Sequence, residues 1–231
     1  MFHVPHTMYK NNRNNLRPED YRPQIKILGH ASVVIYYRDL VIYVDPHSAQ
    51  ADFRHFRPAD LILLTHDHFD HFDERALREL SAAKTIVIAN STVKALLTRL
   101  RPDLKVRMLR NGESVNFGND IVIRAVPAYN IKNIRPDTGL PFHPKGIGNG
   151  YILEFPATRV YIAGDTELIP EMGNLGRIDV AILPMMHPFT LEGEEFIKAA
   201  KLINPKVLYP YHYERVERGK LRKELPGMDI R

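Results

Sequence analysis

The fold and the chemistry of this chain are indicated most clearly by the stretch Thr65-His66-Asp67-His68-Phe69-Asp70-His71. It places three histidines and two aspartates within six residues, directly after the apolar residues 61–64. Each imidazole and carboxylate at the end of a buried strand must be hydrogen-bonded, charged or metal-bound, because an unsatisfied buried polar group costs free energy. Neutral imidazole and carboxylate are also the usual protein ligands of zinc and similar ions. The stretch therefore predicts a metal site, with a polar surface loop as the alternative.

The composition limits which chemistry is available. The 231 residues suffice for one large or two small domains, 44% are hydrophobic, and none is cysteine. Disulfides, thiolate ligands and a cysteine nucleophile are therefore excluded, so a metal must be bound by His, Asp or Glu. The sequence contains no apolar run of membrane-spanning length and no signal-peptide core, which predicts a cytoplasmic protein. The net charge of +5 permits an anionic partner. The lysines and arginines of the chain are scattered along the sequence. Nucleic acid is therefore a disfavoured partner without being excluded.

Short β-branched and aromatic runs alternate with helical patterns along the chain. Residues 1–24 show no apolar periodicity and are predicted to form an irregular arm. A first set of strands then alternates with two helices, whose N-caps are predicted to be Asp73 and Ser91. A second set of strands is followed by a helix capped by Thr190, a charged helix and a short last strand. Because no linker separates the two sets, we predict an α+β protein, a four-layer αββα sandwich, over residues 25–231.

Three of the predicted strands end in residues that can bind a metal. Besides the stretch at 65–71, Asp165 follows a strand in Gly164-Asp165-Thr166, and His212 follows another in Pro210-Tyr211-His212. Ligands collect at strand ends in layered folds, so these loops could meet at one edge. A lone aspartate is more often a turn residue and a lone histidine a structural one. Their coincidence with a cluster of four ligands predicts one shared site.

These motifs carry a resemblance to a known family. His66-x-His68-x-Asp70-His71, Gly164-Asp165-Thr166 and His212 closely resemble the metallo-β-lactamase-fold hydrolase superfamily. Within it, the chain is similar to the small metal-dependent hydrolases related to ascorbate-6-phosphate lactonase and N-acyl-phosphatidylethanolamine phospholipase D. The segments that indicate this are Gly29-His30-Ala31-Ser32, Asp45-Pro46-His47 and Ala163-Gly164-Asp165-Thr166-Glu167. The resemblance covers roughly residue 25 to the C-terminus and implies the αββα sandwich.

The resemblance also implies a site for two divalent cations, with zinc favoured and manganese or iron as alternatives. Its ligands would be His66 and His68 on one cation, Asp70, His71 and His212 on the other, and Asp165 as the bridge. Each cation lowers the pKa of bound water, so a bridging hydroxide can exist near neutral pH. Asp70 and Asp165 are the predicted catalytic residues, since Asp70 would help to orient this nucleophile and Asp165 would join the cations.

One ligand departs from the family pattern. The superfamily places a third histidine for the first cation just after a strand of the second half, but this chain reads Val126-Pro127-Ala128-Tyr129-Asn130 there. His143, in the long segment 127–150, is favoured as that ligand over a site with only two histidines, because catalytic metals usually have three protein ligands. Asn130 could instead support the site without binding metal.

Other polar residues have less defined roles. His30 could donate a hydrogen bond to a ligand or be an ordinary buried histidine. His187 could face the substrate, and Asn130 and His30 are further candidates for contact with it. Lys145 could attract a phosphate or carboxylate unless it is an exposed loop lysine. Asp45 is predicted to order the loops. The remaining candidates for surface positions are His3, His6 and His55.

The sequence therefore predicts a hydrolase of a small ester, lactone or phosphodiester, which can be anionic. A phosphodiesterase or nuclease acting on nucleotides or RNA is the alternative that the positive charge supports, and a metal-binding scaffold without turnover is the non-enzymatic one. No serine-nucleophile motif, dinucleotide fingerprint or phosphate-binding loop occurs in the sequence. Substrate, metal and oligomeric state stay open, although homo-oligomers are common among such enzymes.

Overall fold

Two β-sheets and four α-helices make up residues 21–231, the part of the chain that this computed structural model describes. Most of the predicted arm, with His3 and His6, lies outside the described residues. Residues 21–23 contain no helix or strand, and the first strand begins at Gln24. Within residues 21–231, no helix combines the length and the apolar character that a bilayer crossing requires.

The first sheet contains six strands in sequence order. Its first three strands are antiparallel neighbours and its last three continue it in parallel. They are β1 (Gln24–Gly29), β2 (Ser32–Tyr37), β3 (Leu40–Val44), β4 (Leu61–Leu63), β5 (Ile86–Ala89) and β6 (Lys105–Met108). Parallel neighbours need crossover connections. Two of these contain the helices α1 (Glu74–Leu80) and α2 (Ser91–Leu100).

The helix caps of the first half test two predictions. Asp73 caps α1 as predicted, because its side chain accepts hydrogen bonds from the backbone N–H groups of Arg75 and Ala76. The predicted cap of α2 was wrong by one residue. Asn90 occupies the N-cap position and accepts from the N–H of Val93, so Ser91 is the first helical residue.

The second sheet contains seven strands in the spatial order β13-β12-β11-β10-β9-β8-β7. The strands β7 to β10 are antiparallel neighbours, and β10 to β13 are parallel. They are β7 (Ser114–Phe117), β8 (Ile121–Ala128), β9 (Gly148–Phe155), β10 (Thr158–Ile162), β11 (Val180–Pro184), β12 (Val207–Tyr211) and β13 (Asp229–Ile230). The helices of this half are α3 (Gly193–Ile203) and α4 (Arg218–Glu224).

The second half departs from the sequence prediction in two places. β7 was not predicted, because Val115 is its one fully buried residue and the strand carries little apolar signal. The predicted cap Thr190 does not begin α3, whose N-cap is Glu192. The Thr190 hydroxyl is instead used by the preceding turn, where it accepts a hydrogen bond of 2.7 Å from the backbone N–H of Met186.

Three separate apolar cores demonstrate the four layers. The core between the two sheets contains Val33 and Ile35 of β2 together with Leu153 of β9. Val34 lies between them in sequence but faces α1 and α2 on the outer side, as the two-residue period of a strand requires. A third core joins the outer face of the second sheet to α3 and includes Phe196. The predicted αββα sandwich is therefore confirmed.

Hydrogen bonds between the halves align the loops at one edge. The backbone N–H of Asn149 donates to the carbonyl oxygen of Thr65 over 3.0 Å, and the N–H of His212 donates to that of His30 over 2.9 Å. The Tyr151 hydroxyl donates to the carbonyl oxygen of Leu64 over 2.7 Å. The end of β4 is therefore held against β9, and the end of β12 against the turn after β1, by contacts that do not involve metal-ligating side chains.

Candidate metal centre

The loops after β4, β10 and β12 and the long β8–β9 connection bring their metal-ligating side chains together. Among residues 21–231, three overlapping groups of donor atoms occur, and within each group the atoms lie within 4.8 Å of one another. The groups are His66, His68 and His143; His66, His71 and Asp165; and His30, Asp70, His71 and His212. All seven residues that the sequence predicts as ligands therefore lie in one cluster.

Asp165 lies at the centre of this cluster. Its Oδ2 atom is 3.2 Å from Nε2 of His212, 3.4 Å from Nε2 of His71, 3.5 Å from Nε2 of His143 and 3.8 Å from Nε2 of His66. Two donors on one tetrahedral zinc ion are about 3.3 Å apart, given Zn–N bonds of about 2.0–2.1 Å. The spacing around Asp165 is therefore compatible with shared coordination of cations by donors from both sheets.

Several of these donor atoms are buried without a hydrogen-bond partner. Among the described residues, no hydrogen bond satisfies Nε2 of His66, His71 or His212, or Oδ1 of Asp165. Buried polar atoms are normally satisfied, so each such atom requires an explanation. A divalent cation is the partner that imidazole nitrogen and carboxylate oxygen share. The residues present therefore fit the metal that the motif implies.

A buried network fixes the proton positions on two of the histidines. The fully buried Asp45 accepts hydrogen bonds through Oδ2 from Nδ1 of His71 (2.8 Å) and from the Thr65 hydroxyl (2.6 Å). Because the Thr65 hydroxyl proton is directed at Asp45, its oxygen accepts from Nδ1 of His66 at 3.0 Å. With Nδ1 protonated on both rings, Nε2 can bind a cation. Asp45 thus orders the loops, as predicted.

Asn130 performs the same function for His143. Its Oδ1 accepts from the backbone N–H of His143 at 3.0 Å and from Nδ1 of the same residue at 2.6 Å. The Asn130 amide nitrogen donates to Glu167 and to the carbonyl oxygen of Phe189, which fixes the orientation of the amide. Nε2 of His143 then points to Nδ1 of His68 at 3.1 Å. Asn130 therefore holds the imidazole of His143 with Nε2 directed into the cluster.

The electrostatic environment divides the cluster into a neutral and a charged half. Burial lowers the pKa of His143 to about 4, and it also lowers the pKa values of His66 and His68. Burial opposes the charge on His212 too, but the carboxylates of Asp165 and Asp70 outweigh it and raise the pKa of His212 to about 9.

His71 belongs to the charged half. Burial again opposes its charge, but the carboxylates of Asp165 and Asp45 raise its pKa well above the ordinary value. In turn, His71 and His212 outweigh burial and hold the pKa of Asp165 well below its ordinary value. Cations would take over the role of these imidazole protons in balancing the carboxylates.

His30 contacts the charged half more closely than the sequence indicated. Its Nε2 lies 2.8 Å from Oδ2 of Asp70, and its ring centroid is 3.9 Å from that of His212. Gly29 and His30 both have positive φ angles, which turns the chain sharply after β1. His30 therefore holds the orientation of Asp70 and lies within reach of a cation.

Three other candidates lie outside the donor groups. Lys145 is exposed, and its ammonium lies 2.9 Å from Glu171 and 3.1 Å from the Tyr129 hydroxyl. His187 is exposed and pairs with Glu192 at 2.9 Å. His55 is exposed, as predicted, and its ring lies 3.6 Å from an oxygen of Asp52. The structure does not bring the side chains of Lys145 or His187 into the metal cluster.

Glu167 is a supporting residue that the sequence did not single out. Its buried carboxylate accepts hydrogen bonds from the backbone N–H groups of Ile131, Lys132 and Asn133, besides the side chain of Asn130. It therefore anchors the start of the long connection that carries His143. The signal was its position two residues after Asp165, in the Gly-Asp-Thr-Glu segment.

Comparison with known proteins agrees with this geometry. The profile described as the beta-lactamase superfamily domain matches residues 24–212. A UPF0173 metal-dependent hydrolase from Pyrobaculum calidifontis is 27% identical over 200 residues, which cover 82% of this chain and 84% of the relative. Among solved structures, a Parabacteroides distasonis protein assigned as a metal-dependent hydrolase is 40% identical, with a TM-score of 0.83 and coverage of 91% of this chain and 92% of that one.

A more distant structure has the same fold. Igni18, a metallo hydrolase from Ignicoccus hospitalis, is 22% identical, with a TM-score of 0.75 and coverage of 90% of this chain and 94% of its own. The superfamily match spans the strands β1 to β12 and every loop that contributes to the donor cluster. The chain therefore belongs to the beta-lactamase superfamily and is a metal-dependent hydrolase with the metallo-β-lactamase fold.

Proposed function

We propose that the protein hydrolyses a small ester, lactone or phosphodiester with two divalent cations. One observation carries this proposal: unpartnered buried donors converge from both sheets on Asp165. A single cation of ordinary coordination number cannot bind all of the donors. We therefore assign them to two sets, with Asp165 between them, because its Oδ2 lies within 3.8 Å of Nε2 of both His66 and His212. The activity is assigned to one domain over residues 25–231, with residues 1–24 as an arm.

The two sets have different donor chemistry. The first cation would be bound by His66, His68 and His143, and three imidazoles with one open position suit catalytic zinc. The second would be bound by a carboxylate and two imidazoles, namely Asp70, His71 and His212. Asp165 would contact both cations. Zinc is our first choice, and manganese and iron are the alternatives because they accept the same ligand types.

The protein side chains determine what such a site can do. Bound cations would supply a water-derived nucleophile near neutral pH and would polarise the scissile carbonyl or phosphoryl oxygen. Asp165 is buried, so its role is to hold the two sets at a fixed separation. Asp70 is about one quarter exposed and paired with His30, so it faces the entering substrate and can orient the nucleophile.

A phosphodiesterase acting on nucleotides or RNA is the second candidate, and the net charge of +5 favours it. A scaffold that binds metal without turnover is the third. The proposal also includes a cytoplasmic location and a homo-oligomeric assembly, which symmetric enzymes commonly form.

The test combines elemental analysis with a hydrolysis panel. We expect two equivalents of divalent metal per chain and turnover of at least one ester, lactone or phosphodiester, with both lost after chelation and both restored by added metal. RNA binding that weakens steeply with salt, together with RNA cleavage, would favour the second candidate. Two bound equivalents with no turnover of any substrate in the panel would favour the scaffold.

A further inference from the structure

Four apolar side chains either adjoin a residue of the metal cluster or its supporting Asn130 in the chain, or pack against such a side chain. We call them the apolar rim: Phe69, Ile131, Phe142 and Phe189. Phe69 is 84% exposed, Ile131 49% and Phe189 37%, while Phe142 is half-buried. Large apolar side chains exposed next to one another commonly mark a binding surface.

The rim is fixed to the cluster by short connections. Phe69 lies between His68 and Asp70 in the chain, and Phe142 directly precedes His143. The rings of Phe142 and Phe189 pack edge to face, with their centroids 4.9 Å apart. The carbonyl oxygen of Phe189 accepts a hydrogen bond of 2.9 Å from the same Asn130 amide that holds His143. These side chains are therefore close enough to the cluster to contact the non-reacting part of a substrate that would bind there.

The basic side chains beside the rim are already neutralised. The segment 127–150 contains three of them, and each has a carboxylate partner. Lys132 pairs with Glu195, Arg135 with Asp137, and Lys145 with Glu171. His187, near Phe189, pairs with Glu192. An anionic substrate would have to compete with these carboxylates, whereas an apolar group gains from the rim without displacing any of them.

We infer that the substrate is a neutral ester or lactone that carries an apolar chain or ring of several carbons, and that the apolar rim binds this group. The inference rests on the proposed hydrolytic function and narrows its substrate class. It disfavours RNA and nucleotides with several phosphates, because the cations would bind the scissile phosphate alone and the other phosphates would need cationic side chains that are already paired.

A chain-length series tests the inference. The metal-loaded protein is assayed with 4-nitrophenyl acetate, butyrate and hexanoate, and with bis(4-nitrophenyl) phosphate. A methylene that becomes half-buried on the rim should raise kcat/KM by about twofold, so the hexanoate should exceed the acetate by roughly 16-fold. In the double variant Phe69→Ala/Phe189→Ala, this ratio should fall by about fourfold. Truncation of Leu202, an exposed leucine on α3, should leave the ratio unchanged.

The outcomes separate this inference from the proposed function. Equal kcat/KM for acetate and hexanoate, or turnover of the phosphodiester alone, would overturn the inference and leave a hydrolase. No turnover of any substrate by protein with two bound metal equivalents would overturn the proposed function as well. If the double variant keeps the ratio but dissociates a dimer in light scattering, the rim is an interface between copies and the inference is wrong.

Discussion

The substitution Asp45→Asn tests whether the buried network controls metal binding. Asp45 Oδ1 accepts from the backbone N–H of Thr65, and Oδ2 accepts from Nδ1 of His71 and from the Thr65 hydroxyl. An amide of the same shape replaces one of these oxygens by an NH2 group. In either orientation the NH2 group faces a donor. Facing His71, it forces the ring proton from Nδ1 to Nε2, so the nitrogen that points at Asp165 can no longer bind a cation.

The size of the effect follows from these contacts. Removing an outer partner of a ligating histidine typically costs 10- to 100-fold in metal affinity, which is about 1.4–2.8 kcal/mol. We expect the upper end for the second cation, because His71 loses both its preferred tautomer and the neighbouring negative charge. A smaller loss, about tenfold, is expected for the first cation, since the Thr65 hydroxyl also contacts Nδ1 of His66 at 3.0 Å.

The assay is a zinc titration of metal-free protein against a chromophoric chelator, which gives a Kd for each equivalent. Asp60→Asn is the matched control. Asp60 is also a buried carboxylate, but it accepts from the backbone N–H of Val41 and pairs with Arg57 and Lys84. The control should lose stability and keep both Kd values. If Asp45→Asn binds both equivalents within threefold of the unaltered protein, the tautomer argument is refuted.

Three further substitutions address single contacts. His68→Ala should remove one metal equivalent and the activity, whereas the exposed His55→Ala should retain both in elemental analysis and turnover. Asn130→Ala should weaken the first cation about tenfold in the chelator titration while the second keeps its Kd, because His143 loses its support; equal weakening of both would contradict this. Glu167→Gln should lower the free energy of unfolding by about 1–3 kcal/mol in urea, since each carboxylate oxygen accepts two N–H groups; an unchanged midpoint would count against it.

Local sequence patterns were sufficient to predict most of the fold. The αββα layers could be predicted because apolar periodicity changes from two residues to about 3.6 where strands give way to helices. The boundaries failed where two side chains compete for one role. Asn90 and Ser91 are both favourable N-cap residues, and the helix α2 uses the earlier one, Asn90. Thr190 is also a good cap, but the turn at Met186 uses its hydroxyl.

The donor cluster could be anticipated largely from strand ends, but which supporting residue holds which histidine could not. Asp45 lies 26 residues from His71, and Asn130 lies 13 residues from His143. Glu167 lies 36 residues from Ile131. Nothing in the local sequence connects such pairs, since their contacts exist only after the sheets have packed. The carboxylate partners of the basic side chains in the segment 127–150 likewise became visible only in the folded chain.

The cations that this site would bind would connect parts of the chain that otherwise meet through packing and hydrogen bonds. His66, His68, Asp70 and His71 come from the first sheet, while Asp165 and His212 come from the second. His143 comes from the connection between β8 and β9. Without cations the cluster holds unpartnered buried nitrogens, whose desolvation opposes folding. Because the complete donor set exists only in the folded chain, the free energy of metal binding adds to the stability of the folded protein. The burial of the Thr65–His71 stretch is therefore costly only in metal-free protein.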